Sequence, residues 1–100
     1  MAKLALLARM EAKQGKEADV EQFLAGALPL AQKEAGTTTW FALRLGPSSF
    51  GIFDTFDAES ARQAHLDGPI AKALMAKAGE LLAKPPSIEK VEILANKLPA

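Results

Sequence analysis

The chain has 100 residues, of which 49% are hydrophobic and 24% charged, and we expect residues 1–100 to form a single globular domain. Its 12 basic residues balance its 12 acidic ones, so the chain lacks the positive surface that holds a phosphate backbone, and we expect no nucleic-acid partner. It contains no cysteine, which excludes disulfides, thiolate catalysis and cysteine-ligated metals.

The first residues, MAKLALLARMEAK, are apolar only briefly before charged residues begin. This run is too short to span a bilayer and has no small-residue cleavage site. We therefore predict no membrane association, no signal peptide and a cytoplasmic location.

The first third of the chain predicts a strand followed by a broken helix. Residues 3–11 alternate between apolar and polar side chains, which is typical of a strand. After Gly15, apolar residues recur at helical spacing to about residue 34. Pro29 lies inside this helix and should kink it because proline has no amide hydrogen. Gly36 follows the last turn as a helix stop.

The centre of the chain predicts a β-hairpin. Residues 37–45 are rich in β-branched and aromatic side chains, a turn follows at residues 46–49, and residues 50–56 form the second strand. A symmetric turn would pair Leu45 with Phe50, Leu43 with Ile52 and Phe41 with Asp54, and would leave Trp40 and Arg44 on the other face.

The last part of the chain predicts a second broken helix and a final strand. Asp57 suits the N-cap position of this helix. Gly68 and Pro69 interrupt it, and Pro69 is suited to the first position of a renewed helix. After a proline-rich connector, residues 88–96 form the last strand.

The predicted element order, βαββαβ, indicates an α+β ferredoxin-like sandwich of a four-stranded antiparallel sheet and two helical regions. In this arrangement helices cover one face of the sheet. Both faces of the hairpin carry large apolar side chains, so we expect a second copy of the chain on the open face. The predicted assembly is a homodimer.

Asp54 is an unusual residue for its surroundings, because its strand neighbours Phe50, Ile52 and Phe56 are apolar. A buried carboxylate needs a partner or a raised pKa. The only histidine, His65, shares a helix face with Ala61, and that face is directed at the sheet. We predict that Asp54 orients His65 through one ring nitrogen and leaves the other free for proton transfer. The alternative is that the pair only satisfies buried polarity.

Other candidate residues carry weaker signals. Trp40 could stack on a ligand, although a residue of its size is more often part of a core or an interface. Arg44 could steady an anionic substrate or could simply be solvated. The sequence contains no phosphate-binding loop, no paired-histidine metal motif and no nucleotide-binding glycine turn, so we predict neither a metal site nor a cofactor.

The chain resembles the antibiotic biosynthesis monooxygenase (ABM) family of dimeric α/β barrels over nearly its whole length. The resemblance rests on the βαββαβ order, on the Gly15-Lys16-Glu17 start of the first helix and on FGIFDTFDAESARQAHLDGPI at residues 50–70. Asp54 stands where the family usually has Glu, and Ala64-His65-Leu66 match its helix pattern. The chain departs from the family pattern in having no tyrosine and no asparagine in its central region.

The resemblance implies a homodimer with an apolar pocket between the sheet and the helices. It implies oxidation of small phenolic or quinol-type aromatic molecules by O2 without metal or flavin, with His65 as the base and Asp54 behind it. Trp40 and Arg44 would position the substrate, and the apolar side chains of the hairpin, Phe41, Phe50, Ile52 and Phe56, would line the pocket. Strand 1 lacks the asparagine of haem-degrading relatives, so we expect no haem.

Two further functions are compatible with this fold. The RNA-recognition fold has the same element order, but here Ser48 replaces the basic residue of its third-strand signature and Asp54 adds a repulsive charge. The other alternative is a dimer that binds a small hydrophobic or aromatic molecule without catalysis, because a fold alone does not determine a function.

Overall fold

A computed structural model describes residues 3–99 and confirms the predicted element order. The strands are β1 (Leu4–Glu11), β2 (Thr37–Arg44), β3 (Ser49–Phe56) and β4 (Ser87–Glu92), and the helices are α1 (Glu17–Gly26), α2 (Leu28–Gln32), α3 (Glu59–Leu66) and α4 (Pro69–Leu81). The four strands form one antiparallel sheet in the order β2-β3-β1-β4. This is the ferredoxin-like α+β arrangement.

Both predicted helix breaks are confirmed. Pro29 occupies the first turn of α2, where its missing amide hydrogen costs no helical bond, and α1 ends just before it at Gly26. Pro69 is the first residue of α4. The predicted N-cap at Asp57 is wrong: α3 begins one residue later, after Ala58, and no side chain caps it.

The last strand is shorter than predicted because its partner strand runs out. β4 pairs with β1 from Ser87 opposite Arg9 to Glu92 opposite Leu4, the first residue of β1. One more backbone hydrogen bond follows, from the Ile93 amide to the Lys3 carbonyl. Beyond it the chain leaves the sheet, and Leu94 is 96% exposed.

The predicted hairpin register is wrong by one residue. Arg44 lies opposite Phe50, Ala42 opposite Ile52 and Trp40 opposite Asp54. The Leu45 amide already bonds to the Ser49 carbonyl, so the loop has three residues instead of four. Because side chains alternate along a strand, this change moves the β2 side chains from Thr39 to Arg44 to the other face of the sheet.

The helices cover the face of the sheet that carries Asp54. Ala8, Met10, Phe50 and Ile52 on this face pack with helical side chains in one buried cluster, whose helical members are Val20, Leu24, Leu74 and Leu81. Burial of such a cluster is the main favourable contribution to folding.

The opposite face of the sheet carries no helix in the described part of the chain and is apolar along β2. Phe41 lies across from Phe53 on this face, and Leu43 and Leu45 continue it along β2. Phe41 is 49% exposed and Leu45 48% exposed. We define these residues, with Leu7 of β1, as the open-face patch. Among residues 3–99, no helix is long and apolar enough to cross a membrane.

Candidate functional site

Asp54 lies at the middle of β3, between Leu6 of β1 and Trp40 of β2. It is 1% exposed, and its side chain is on the face that the helices cover. A carboxylate in this position has lost its hydration, so its charge must be balanced by a nearby group.

His65 of α3 is the group that balances it. The imidazole Nε2 lies 2.9 Å from Asp54 Oδ2, and the His65 side chain is 8% exposed. The predicted contact between these two residues is therefore present. Its geometry is that of an ion pair without an aligned N–H bond, since neither Asp54 oxygen has a hydrogen-bond partner among the described residues. The Phe56 ring packs against the imidazole, with 5.4 Å between the ring centroids.

The other ring nitrogen is not free, which contradicts the predicted arrangement. Nδ1 of His65 is hydrogen-bonded to Glu34 Oε1 over 2.6 Å, and Glu34 lies in the segment between α2 and β2. Thr37 Oγ1 donates to the same Glu34 oxygen over 2.8 Å. His65 is thus held between two carboxylates, and we call Glu34, His65 and Asp54 the acid–imidazole–acid triad.

The triad changes the acid–base properties of His65. Burial lowers the pKa of His65, but the contacts with Asp54 and Glu34 oppose this effect and raise the pKa above its ordinary value of 6.5. Both carboxylates stabilise the imidazolium, so the neutral ring is a stronger base than a free imidazole. The 2.6 Å contact allows a proton to pass between Nδ1 and Glu34 Oε1.

A close approach of two segments brings Glu34 to His65. A Cβ atom on Gly36 would lie 2.7 Å from the Ala61 Cβ of α3, a distance that no pair of side chains tolerates. Glycine at this position lets α3 lie directly against the segment that carries Glu34. Glu34 was not predicted as a site residue, because nothing in the local sequence pattern distinguishes it from a solvated helix-end carboxylate.

A buried arginine, also missed, fixes α3 on the sheet. Arg62 has a side chain that is 8% exposed and pairs with Glu59 in the first turn of α3. Its Nη1 donates to the backbone carbonyls of Ala5, at 3.2 Å, and Val91, at 3.3 Å. Because Arg62 is one turn before His65, these bonds determine how the imidazole meets the sheet.

The predicted substrate-binding residues divide into three groups. Trp40, Ile52 and Phe56 share the Asp54 face, with Trp40 directly across from Asp54. Arg44 is on the same face at the far end of β2, where it pairs with Glu21 and lies 4.9 Å from the Phe50 ring centroid. The placement of Phe41 beside Asp54 is wrong, since the register puts it on the open face.

Two spaces of different size adjoin the triad. A cavity of about 30 Å³ lies beside Asp54 and His65 and is otherwise lined by apolar side chains, among them Leu6, Ile52 and Ala71. A pocket of about 230 Å³ lies on the other side, between α2 and β2, where Glu34 and Trp40 contribute to its walls. The indole Nε1 of Trp40 is buried and has no hydrogen-bond partner among the described residues.

The described part of the chain holds no group of three His, Cys, Asp or Glu side chains placed to ligate a metal ion. The triad itself does not form such a group, because Asp54 and Glu34 contact opposite nitrogens of one ring.

The fold is shared with two proteins provisionally named as antibiotic biosynthesis monooxygenases. A Nitrosomonas europaea protein provisionally named an antibiotic biosynthesis monooxygenase superposes with a TM-score of 0.80 at 13% identity, covering 92% of this chain and 90% of that one. Rv0793 from Mycobacterium tuberculosis superposes with a TM-score of 0.81 at 18% identity, covering 94% and 97%. At these identities the similarity establishes an ABM-like fold.

A closer relative establishes the family. NE2512, a Nitrosomonas europaea protein of unknown function, is 65% identical, with a TM-score of 0.96 and coverage of 100% of this chain and 97% of that one. The chain belongs to the same family as NE2512. No protein-family model and no curated protein matches the chain.

Proposed function

We propose that this protein is an ABM-type oxidoreductase that oxidises small phenolic or quinol-type aromatic molecules with O2, without a metal or organic cofactor. The observation that carries the proposal is the triad, a buried imidazole whose basicity is increased by carboxylates on both nitrogens. Groups with shifted pKa values beside a pocket are typical of catalytic sites. The ABM-like fold and the monooxygenase names of some neighbours support the same reaction class.

The chemistry requires only a base and an apolar environment. Removal of a phenolic proton produces an electron-rich anion that reduces O2 directly. For a hydroquinone, two electrons and two protons pass to O2, giving the quinone and H2O2. In a monooxygenation, one oxygen atom enters the ring and the other leaves as water. The triad is the base in both reactions, with His65 as its central proton acceptor and Asp54 stabilising the imidazolium.

The remaining predicted residues have supporting roles in this proposal. Trp40 contributes an aromatic wall beside Glu34. Phe56 and Ile52 form the apolar surroundings of the imidazole and of Asp54. Arg44 and Phe50 line a separate pocket of about 190 Å³ toward α1, where Arg44 could hold an anionic substituent of the substrate.

We also propose that the protein is a homodimer that pairs through the open-face patch and closes the two sheets into a barrel. Two large apolar side chains, Phe41 and Leu45, are about half exposed on this face, at 49% and 48%. Contiguous apolar surface of this kind is typical of interaction sites. A twofold dimer needs one self-complementary surface, which a sheet face provides.

A specific observation favours a second candidate, a dimer that binds an aromatic molecule without turnover. Both nitrogens of His65 are engaged by carboxylates, so the ring has no open position for a substrate proton. In that case the triad only satisfies buried polarity.

Oxygen consumption separates the two candidates. The purified protein would be incubated with a panel of hydroquinones and polyphenols in chelator-treated buffer, with O2 uptake and H2O2 measured together. The enzyme proposal expects uptake that is lost in His65→Ala and retained in Gln63→Ala, a change on the exposed side of the same helix. Saturable ligand uptake without O2 consumption would support the binding protein instead.

A further inference from the structure

The two spaces beside the triad differ in what they can hold. The cavity at Asp54 measures about 30 Å³, which is close to the volume of one water molecule. The pocket at Glu34 measures about 230 Å³, somewhat below the roughly 300–1,000 Å³ of sites for drug-sized ligands. A single aromatic ring therefore fits the Glu34 pocket and does not fit the Asp54 cavity.

The walls of the larger pocket suit a small phenol. Leu28, Ala31 and Trp40 supply apolar surface. Thr37 and Thr38 also line the pocket, and their hydroxyl groups are bonded to Glu34 and Thr55. β2 is an edge strand, so the pocket lies at the side of the sheet.

Glu34 lines the pocket and is also hydrogen-bonded to His65. Its side chain is 17% exposed, against 8% for His65 and 2% for Asp54, so exposure increases along the triad toward this pocket. Glu34 Oε1 lies 2.6 Å from His65 Nδ1 and accepts a hydrogen bond from Thr37 Oγ1. No described residue bonds to Oε2, which leaves this oxygen for a ligand.

We propose that a monocyclic phenol or hydroquinone binds in the pocket between α2 and β2, and that Glu34 receives the phenolic proton and passes it to His65 Nδ1. The phenolic O–H bond breaks as its proton joins Glu34, and the resulting carboxylic acid donates that proton across the 2.6 Å contact to Nδ1 of the neutral imidazole, whose own hydrogen is on Nε2. Asp54 holds the resulting imidazolium from the interior. Glu34 is then the catalytic residue that meets the substrate.

The location of the ring can be tested without turnover, because Trp40 is the only tryptophan in the chain and lines this pocket. Phenol would be titrated into the protein under nitrogen while Trp40 fluorescence is followed. We expect a saturable change. Thr38→Phe, which narrows the pocket, should weaken binding by about tenfold or more, equivalent to about 1.4 kcal/mol. Ala71→Val, which fills the Asp54 cavity instead, should leave binding unchanged.

The role of Glu34 is tested separately through His65, the only histidine, whose ring signals in an NMR spectrum are unambiguous. The charged groups that act on this ring are Asp54 from β3 and Glu34 from the α2–β2 segment. Glu34→Gln removes one of them, so the pKa of His65 should decrease in an otherwise folded protein. If hydroquinones are oxidised, the same change should reduce kcat by about 10²–10⁴-fold with a smaller effect on phenol affinity.

Only the proton transfer rests on the proposed oxidase function, so the phenol-binding pocket and the oxidase function can be rejected independently of each other. Saturable phenol binding that Thr38→Phe weakens, without O2 uptake, would uphold the pocket and reject the oxidase. If Ala71→Val weakens phenol binding and Thr38→Phe leaves it unchanged, the proposed location of the phenol between α2 and β2 is wrong. The absence of saturable phenol binding would also reject that location. Full oxidase activity in Glu34→Gln would overturn the role of Glu34.

Discussion

Replacement of His65 by alanine should destabilise the protein strongly at neutral pH. The change leaves the Asp54 carboxylate, with its side chain 2% exposed, without the imidazolium that balances its charge, and it removes the partner of Glu34. Removing one member of a buried ion pair costs about 3–5 kcal/mol, since the remaining charge stays buried. The measurement is denaturant unfolding at one fixed protein concentration, because a dimer's stability depends on concentration.

The pH dependence of the destabilisation by His65→Ala is a sharper test of the charged triad than the destabilisation at a single pH. The pKa of His65 is raised in the folded state, so the imidazolium contributes stability that is fully present below the unfolded value of about 6.5. Between that value and the raised folded value, the folded state binds more protons than the unfolded state. Stability must therefore fall as pH increases through this window, by at most about 1.4 kcal/mol per pH unit for one proton.

The difference between wild type and His65→Ala isolates this contribution from other titrating groups. The destabilisation should be largest below the histidine window and should decrease as pH rises through it. Asp54→Asn is the matched variant, because it keeps the side-chain shape and removes one of the two carboxylates. It should lower the pKa of His65 in the folded state and so narrow the pH range over which stability falls. A destabilisation that stays constant across the neutral range would refute the charged triad.

Two further changes test the supports of the site and the assembly. Gly36→Ala should lower the free energy of unfolding by about 1–3 kcal/mol, because its Cβ would lie 2.7 Å from the Ala61 Cβ. It should also lower the pKa of His65 by separating α3 from Glu34. An NMR titration of His65 that is unchanged by the substitution would contradict this. Phe41→Glu should convert a dimer into a monomer by placing a charge in the open-face patch, measured by sedimentation; a wild-type chain that is already monomeric would reject the proposed interface.

The local sequence was sufficient to locate the helices, their breaks and the hairpin. Pro29 and Pro69 act on the backbone where they stand, so their effect does not depend on distant residues. The contact between Asp54 and His65 also followed from local information, since a carboxylate between Phe50 and Phe56 on an apolar strand face needs a partner and only one face of α3 meets the sheet.

The register and the third member of the triad depended on tertiary structure. A three-residue loop instead of four exchanges the positions of Trp40 and Phe41, and the flexible glycine–proline–serine turn sequence is compatible with both. Glu34 and His65 are 31 positions apart, and they meet because α3 packs against Gly36. The sequence by itself therefore identified Asp54 and His65 as a polar pair inside this protein, whereas the packing of α3 decided that the histidine has a carboxylate on both sides.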